Sequence, residues 1–345
     1  MKFPVKFAVC VASVVLMGTV FAAAGDYYNK PGNILISDQF NNRVLEVDPV
    51  THEIVWSFGN GTSTPGSQAV VAPNDFQRVG ENNLVAGTGA PPGSEPSCPA
   101  GCADNRVMLI NNTGHIFWQY GIAGVTGSGF NQLNTPVQNT YLPNGDILIT
   151  DQGNQRVIEV NPKKQIVWQQ GMTGMAGAGF NQLNSPNSAE LLANGDILIA
   201  DESNNRVIEV NRDHVIVWHY GAPSSTKLNG AAFASRLPNG NTLITDGLNN
   251  RVLEVTPAGD IAWEYVTNTR PGSVASPQPS RAVRLENGNT LISDQYNDQV
   301  IEVDNDGNIV FSQGQIGVPG IGFDELNAPY DAKVVGDYTG LTPPK

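Results

Sequence analysis

Aspartate and arginine recur together along this chain, with the arginine five residues after the aspartate. Such repeated carboxylates could form a ring of ligands. The alternative is that each accepts hydrogen bonds from backbone N–H groups or the nearby arginine and so closes a loop. A residue that recurs in every copy serves what all copies share, which favours the structural role. The aspartates are Asp38, Asp151, Asp201, Asp246 and Asp294, followed by Arg43, Arg156, Arg206, Arg251 and, in the last copy, Gln299; a divergent copy contains Asp104-Asn105-Arg106.

The N-terminus has the pattern of a secretory signal peptide. Residues 1–6 carry two lysines, residues 7–21 are apolar and uncharged, and residues 22–24 are alanines. The apolar run is short for a membrane span. We therefore expect a signal peptide at residues 1–24, a mature chain at residues 25–345, and a secreted or periplasmic protein without an integral membrane span after cleavage. An uncleaved N-terminal anchor is the alternative.

Two cysteines lie beyond this segment. They are Cys98 and Cys102, in the sequence SCPAGCAD. In an oxidising compartment, two cysteines so close together are expected to close a small loop as a disulfide.

The charge of the chain limits its partners. The formal net charge is −13, and without Lys2 and Lys6 the mature chain has 17 basic against 32 acidic residues, a net charge of −15. Nucleic acid and anionic lipid carry the same sign and are disfavoured. Cations and basic partners remain compatible with this surface.

The repeated aspartates belong to a longer internal repeat of the sequence. The segment NGDILITDQGNQRVIEVNPKKQIVWQQG starts at Asn144, and NGDILIADESNNRVIEVNRDHVIVWHYG starts at Asn194. One aromatic residue marks each copy, 45 to 62 residues after the last, and the copy count is therefore six. The aromatic positions are Trp56, Trp118, Trp168, Trp218, Trp263 and Phe311.

Each copy predicts four β-strands. Alternating runs rich in β-branched residues are separated by Asn-Gly pairs and similar tight-turn sequences. The innermost strands align as residues 73–79, 136–142, 186–192, 231–237, 279–285 and 329–335. The last has no repeat after it and the first repeat has no such strand before it, so residues 329–335 are expected to complete the first unit.

These features predict an all-β protein, a six-bladed β-propeller of four-stranded antiparallel blades whose C-terminal strand closes the N-terminal blade. Residues 88–103 form an insertion in the second blade. An open solenoid is the alternative.

The repeats resemble those of the NHL family. Residues 177–210, GAGFNQLNSPNSAELLANGDILIADESNNRVIEV, contain a G-F-N-x-P-like lead, an aspartate and an N-x-R motif, and the lead recurs at residues 127–136 and 320–329. The resemblance covers nearly all of the mature chain and implies a propeller. NHL propellers include enzymes, protein-binding modules and RNA-binding modules, so the resemblance does not select a function.

The positions of the histidines argue against two related kinds of enzyme. The repeats also resemble those of arylsulfotransferases, which use a histidine, and amidating lyases of similar form bind metal through histidines. Connections between blades share one face of an antiparallel propeller with the loops between second and third strands. His52, His115 and His214 fall in hairpins of the opposite face, and His219 falls in an outermost strand. No counterpart of either histidine set is expected at the central mouth.

The candidate ligand-binding residues lie on the innermost strands. Their third and fifth positions differ between blades, as those of a binding surface should, and include Asp75, Gln138, Glu190, Arg281 and Asp331. Asp75, Glu190 and Asp331 together could hold a calcium ion, a site comparable to the central ion of lactonase-like propellers. A channel lined by solvated polar groups is the alternative. The same face is expected to carry four residues just past the repeated aspartates: Phe40, Glu202, Leu248 and Tyr296.

The sequence thus favours a non-enzymatic module that binds a protein, a polymer or a small molecule through the face bearing the inter-blade loops. A metal-dependent hydrolase or lactonase with a carboxylate-bound divalent ion at the channel mouth is the main alternative. An arylsulfotransferase relative is the other.

Overall fold

The computed structural model describes residues 27–344 and consists almost entirely of antiparallel β-sheet. Its 24 strands form six sheets of four strands each. The predicted signal peptide lies outside the described residues. None of the helices within residues 27–344 has the length and hydrophobicity of a membrane span.

The six sheets are the blades, numbered in chain order. Blade 1 begins with β1 (Ile34–Asp38), β2 (Arg43–Val47) and β3 (Ile54–Phe58). Blade 2 contains β4 (Pro73–Val79), β5 (Asn82–Ala90), β6 (Cys102–Ile110) and β7 (Ile116–Gly121). Blade 3 contains β8 (Pro136–Tyr141), β9 (Ile147–Asp151), β10 (Arg156–Val160) and β11 (Ile166–Gln170).

Blades 4 to 6 repeat this arrangement. Blade 4 contains β12 (Pro186–Leu191), β13 (Ile197–Asp201), β14 (Arg206–Val210) and β15 (Ile216–Gly221). Blade 5 contains β16 (Ala231–Arg236), β17 (Thr242–Asp246), β18 (Arg251–Val255) and β19 (Ile261–Val266). Blade 6 contains β20 (Arg281–Arg284), β21 (Thr290–Asp294), β22 (Gln299–Val303) and β23 (Ile309–Gln313), and the chain ends with β24 (Pro329–Val334).

Short 3-10 helices follow the second strand of five blades, and a sixth lies between blades 5 and 6. In those five blades the helix ends at a residue with left-handed backbone, mostly asparagine, which tolerates that conformation. The helices are Gln39–Asn41, Gln152–Asn154, Glu202–Asn204, Gly247–Asn249, Thr267–Thr269 and Gln295–Asn297.

The C-terminal strand closes the ring, as the sequence predicts. β24 pairs antiparallel with β1, with Ile34 opposite Val334 and Ser37 opposite Asp331. Blade 1 therefore has the strand order β24-β1-β2-β3. This pairing leaves no open sheet edge at the junction of the chain ends.

The apolar core lies between neighbouring blades. In one of its clusters, Leu84 and Val107 of blade 2 pack with Ile149 and Ile158 of blade 3, all completely buried. Burial of one such side chain stabilises the fold by about 1.5–3 kcal/mol. The alternating β-branched residues of the repeat therefore both form the strands and join one blade to the next.

The aromatic column that marks the repeats also joins neighbouring blades. Each tryptophan lies on an outermost strand, and its indole N–H donates to a carbonyl in the hairpin of the next blade. Trp118 donates to Pro162 and Trp168 to Arg212, both at 3.2 Å. Phe311 has no such donor, and its ring instead stacks on His52 of blade 1 with the centroids 5.4 Å apart.

The repeated aspartates have the predicted structural role. Asp201 accepts hydrogen bonds from the side chains of Asn204 at 2.8 Å and Arg206 at 2.7 Å. It also accepts one at 2.7 Å from the backbone N–H of Asn184, in the loop that arrives from the previous blade. Each buried carboxylate therefore ties its own loop to the inter-blade connection.

Blade 6 obtains its arginine from another part of the chain. Gln299 occupies the arginine position, and the guanidinium that reaches Asp294 belongs to Arg270, in the loop from blade 5. Burial raises the pKa of Asp294 to about 6, and hydrogen bonds from Asn297 and the charge of Arg270 oppose that rise.

We predict that Arg270→Gln lowers the free energy of unfolding by about 3 kcal/mol, because it leaves a buried carboxylate without its counter-charge. The loss should be smaller at pH 5 than at pH 8, since protonation of Asp294 below its raised pKa removes the buried charge. Denaturant unfolding at both pH values measures this.

The matched control is Arg212→Gln, which removes an ion pair with Glu159 from a more exposed arginine and should cost about 1 kcal/mol or less. Equal losses for the two variants, or a pH-independent loss for Arg270→Gln, would contradict the role given to Arg270.

Candidate ligand-binding mouth of the channel

The loops between blades and the 3-10 helices meet on one face of the disc, here called the inter-blade face. The N–H of Phe40 donates to Asn327 at 3.1 Å, and that of Gly153 donates to Asn134 at 2.9 Å. The opposite face carries the remaining hairpins and is called the hairpin face.

The histidines occupy the elements that the sequence predicts for them. Three lie in the hairpins between third and fourth strands: His52, His115 and His214. His219 lies on β15, an outermost strand, where its ring contacts the carbonyl of Gly221. Outermost strands are separated from the channel by three strand spacings, about 14 Å in total.

The mouth of the channel on the inter-blade face is lined largely by amide side chains. The residue directly after the repeated aspartate supplies many of them. Gln39 donates to the side-chain oxygen of Asn74 at 2.7 Å and accepts from Gln295 at 2.9 Å. These residues are buried at the channel wall, and their mutual hydrogen bonds fix the polar groups of this part of the mouth.

On the other side of the mouth, the corresponding position is a carboxylate, Glu202. It accepts hydrogen bonds from Asn187 at 2.9 Å and Gln152 at 3.2 Å. Asn187 also donates to the hydroxyl of Tyr330 at 2.9 Å. Burial raises the pKa of Glu202, and the hydrogen bond from Asn187 opposes this. Burial, with the charge of Glu202 next, raises the pKa of Tyr330.

Glu202 and Tyr330 border a small pocket of about 50 Å³. Its polar wall includes Asn187 and Gln295, and Leu248 belongs to its apolar wall. Sequence reasoning placed Glu202 and Leu248 on this face but missed Tyr330, Asn187 and Gln295. The alignment of the innermost strands contained a signal for two of these, because Tyr330 and Asn187 share its second position.

Larger apolar side chains surround the mouth. Phe40 is half-buried, whereas Tyr296 is 40% and Leu248 is 48% exposed. All three lie in 3-10 helices of the inter-blade face. The structure thus places Phe40 and Tyr296 on the predicted face, and their contact with a ligand stays a prediction.

The five predicted residues of the innermost strands lie below this mouth. Their exposed fractions are 2% or less, and their direct contact with a ligand also stays a prediction. The residues are Asp75, Gln138, Glu190, Arg281 and Asp331.

Their variation between blades conceals a shared structural role. In four blades, the side chain at the third position of the innermost strand accepts a hydrogen bond from the N–H at the fourth position of the next blade. Carboxylate, amide and hydroxyl oxygens can all accept this hydrogen bond, so the third position does not require one residue type. The four bonds run from Phe76 to Asp331 (2.9 Å), from Asn139 to Asp75 (3.3 Å), from Ala189 to Gln138 (2.6 Å) and from Ala234 to Ser188 (3.2 Å).

The remaining two third positions, Phe233 and Arg281, have no acceptor. The Arg281 guanidinium lies 4.2 Å from the centre of the Phe233 ring, donates to Asp75 at 2.8 Å and forms an ion pair with Asp331 at 2.5 Å. Lys333 contacts the same two carboxylates at 2.7 and 2.5 Å. Burial raises the pKa of Asp75 to about 6, against the attraction of Lys333. The floor of the mouth is therefore a buried, internally paired charge cluster.

Calcium binding by Asp75, Glu190 and Asp331 stays a prediction. Within residues 27–344 no group of three or more His, Cys, Asp or Glu side chains is arranged to hold a metal ion. Asp75 and Asp331 bind cations of the chain itself, while Glu190 accepts from the hydroxyl of Thr342 at 2.7 Å and from Gln138 at 2.8 Å. Asp75 and Asp331 share Arg281 and Lys333, whereas Glu190 has its own donors, so groups of the chain itself contact all three carboxylates.

The C-terminal tail contacts the innermost strand of blade 4. After β24 in blade 1, the chain crosses to blade 4, on the opposite side of the ring. There Thr342 is buried and bonds both Glu190 and the backbone of Leu191. Leu341 packs against the apolar cluster near β24. Nothing in the sequence around residues 336–344 indicated this contact, because the tail belongs to no repeat.

The insertion of blade 2 carries the predicted disulfide. Cys98 and Cys102 are bonded, with their Cα atoms 5.9 Å apart. β5 and β6 are nine residues long and extend the blade into this insertion. Buried Glu95 within it accepts a hydrogen bond from Asn42 of blade 1 at 3.1 Å, so the insertion also joins two blades.

Comparison with protein families agrees with this architecture. Residues 103–308 match the PQQ_2 family model, described as outer membrane protein assembly factor BamB. The chain belongs to this family. A search of curated proteins returns no match for this PQQ_2 propeller.

Solved structures similar to this PQQ_2 propeller include a lyase and a chain of a protein complex. A protein of unknown function from Bacteroides caccae is 17% identical, covering 82% of this chain and 93% of that one, with a TM-score of 0.58. Virginiamycin B lyase from Staphylococcus aureus is 13% identical over 84% and 82%, with a TM-score of 0.52. A chain of the nidogen/laminin complex is 10% identical over 81% and 92%, with a TM-score of 0.53. At these identities the likeness establishes a shared fold alone.

We predict that Lys333→Met destabilises this PQQ_2 propeller by about 3–5 kcal/mol, because it removes one partner from a buried charge cluster. Lys163→Met, in an exposed hairpin, is the control and should change stability by about 0.5 kcal/mol or less. Chemical unfolding followed by tryptophan fluorescence compares them. A loss at Lys333 no larger than at Lys163 would show that the cluster does not depend on this cation.

Proposed function

We propose that this protein is a non-enzymatic binding or scaffolding module that acts outside the cytoplasm and presents its inter-blade face to a partner or ligand. The observation that carries this proposal is the mouth itself. A network of oriented amides, one carboxylate and one phenol lies inside a rim with exposed apolar side chains. Polar groups of fixed direction beside apolar surface suit recognition.

The burial and ion pairing of the other ionisable groups support binding over catalysis. Asp75, Asp331 and Arg281 are buried and paired with one another or with Lys333. A general acid or base must reach its substrate, and these groups are already engaged beneath the mouth. The four histidines lie in hairpins or on an outermost strand.

The family and the fold are compatible with both an enzyme and a binding module. The solved relatives include a lyase and a component of the nidogen/laminin complex, so a propeller of this shape serves as an enzyme or in a protein assembly. The NHL-like repeat and the N-terminal signal-peptide pattern extend the proposal to a secreted or periplasmic module. A disulfide and a family described by an outer membrane assembly factor agree with that location.

We predict that the double variant Phe40→Ser/Tyr296→Ser loses most capture of the native partner, by at least about tenfold, because truncated aromatic anchors usually dominate binding losses. Affinity capture from the extracytoplasmic fraction of the native organism, with quantitative mass spectrometry, measures this. Val50→Ser, at an 84% exposed position of a blade 1 hairpin, is the control and should capture the same partners. Equal loss from both variants, or from neither, would exclude the inter-blade face as the binding surface.

The rival function is a metal-dependent hydrolase or lactonase acting at the same mouth. It would need a divalent ion held by carboxylates that here bond Arg281, Lys333 and Thr342. Elemental analysis of the purified protein, with lactone and ester hydrolysis assayed before and after chelation, separates the two functions. A stoichiometric ion and an activity lost in chelator would replace the binding proposal with the enzymatic one.

A further inference from the structure

The carboxylate at the mouth differs from every other residue at its position in the repeat. The residue directly after the repeated aspartate is glutamine in blades 1, 3 and 6 and glycine in blade 5. In blade 4 it is Glu202, which has the length of glutamine but adds a negative charge. The fold of this loop therefore does not require a carboxylate, because the same loop forms with Gln39, Gln152 and Gln295.

Glu202 has no counter-charge among the described residues. Its pKa is shifted by burial and by the hydrogen bond from Asn187, and no arginine or lysine contributes. Both of its hydrogen bonds, from Asn187 and Gln152, reach the same oxygen, Oε2. Oε1 accepts none within residues 27–344. A partly buried carboxylate without a cation gains from a partner that supplies one.

The small pocket beside Glu202 offers acceptors more than donors. The side-chain N–H groups of Asn187 are directed to Glu202 and Tyr330, and one of the two N–H groups of Gln295 is directed to Gln39. The Oε1 atoms of Glu202 and Gln295 accept no hydrogen bond from residues 27–344. A ligand that donates hydrogen bonds therefore meets two acceptors in this pocket.

The remaining walls and the size restrict the ligand further. Leu248, Pro279 and Ala232 line the pocket beside its polar groups, a surface suited to methylene groups. At about 50 Å³ it holds the end of a side chain and not a drug-sized molecule. An acidic chain, with a net charge of −13, also attracts cationic partners.

We infer that this pocket binds a primary alkylammonium group, as on the lysine side chain of a partner protein, with the Glu202 carboxylate as its counter-ion. The ammonium donates to Glu202 Oε1 and Gln295 Oε1, and its methylene stem lies along Leu248 and Pro279. This inference rests on the proposed binding function and identifies the group recognised at the centre of the face.

The test uses two small probes that differ in charge at nearly equal size. Nα-acetyl-lysine methylamide and its neutral counterpart Nα-acetyl-norleucine methylamide are titrated into the folded protein, and binding is followed by NMR or calorimetry. The lysine probe should bind at least about tenfold more tightly, the effect of one charged hydrogen-bonded pair. Equal affinity for the two probes would overturn the inference.

Glu202→Gln removes the charge and restores the residue that blades 1, 3 and 6 carry, so the variant should remain folded. It should weaken binding of the lysine probe by about tenfold or more. Glu286→Gln, at an exposed position of a β20–β21 hairpin, makes the same change in net charge and should bind as the unaltered protein does. Unchanged binding to Glu202→Gln, or an equal loss in Glu286→Gln, would refute a specific ammonium site.

Leu248→Trp provides a second test that leaves the carboxylate in place. The larger side chain should fill the pocket and reduce binding of the lysine probe to a similar extent. Native-partner capture distinguishes failure of this inference from failure of the proposed function. Capture that depends on Phe40 and Tyr296 but not on Glu202 would overturn the ammonium site alone. Capture that depends on none of them would overturn the proposed function, whatever the lysine probe does.

Discussion

The hydrogen bond from an inter-blade loop to a buried aspartate is the contact on which the arrangement of this propeller depends. Asp201 receives it from the N–H of Asn184, and Asp151 receives it from that of Asn134. The other oxygen of each carboxylate holds the asparagine and arginine of its own loop, as with Asn204 and Arg206. Because one buried charge fixes both loops, the loops that carry the mouth residues have a defined position relative to the strands.

The same principle of satisfied buried groups governs the channel. In four blades, the side-chain oxygen at the third position of the innermost strand accepts a hydrogen bond from a backbone N–H of the following blade. The other two third positions are Phe233 and Arg281. Arg281 and Lys333 form ion pairs with Asp75 and Asp331. Most charges of the channel wall are thereby compensated. The exception is Glu202, where the carboxylate meets amides and a pocket instead of a cation. That contrast is what makes the mouth a binding surface in our interpretation.

The fold could be predicted because it is repetitive. Six copies of one hydrophobic pattern predict six blades, the Trp118 column marks each copy, and the unmatched strand at residues 329–335 predicts closure, confirmed by the pairing of β24 with β1. The Cys98–Cys102 disulfide followed from spacing and was also confirmed. The candidate site was predicted less well. The inter-blade face was expected to carry Phe40 and Tyr296, but Tyr330 was missed, and the calcium ligands stay a prediction.

The sequence by itself determined what is local or periodic: strand identity, blade number, the role of the repeated aspartates and the face on which each loop emerges. Only the tertiary structure decided which unlike residues meet across the ring. Asp75 and Arg281 are 206 residues apart and belong to blades 2 and 6, and Thr342 reaches Glu190 from a tail outside the repeat. Such contacts join single positions of different copies. A periodic pattern carries no information about them, because whether a buried charge is paired depends on the closed geometry of all six blades.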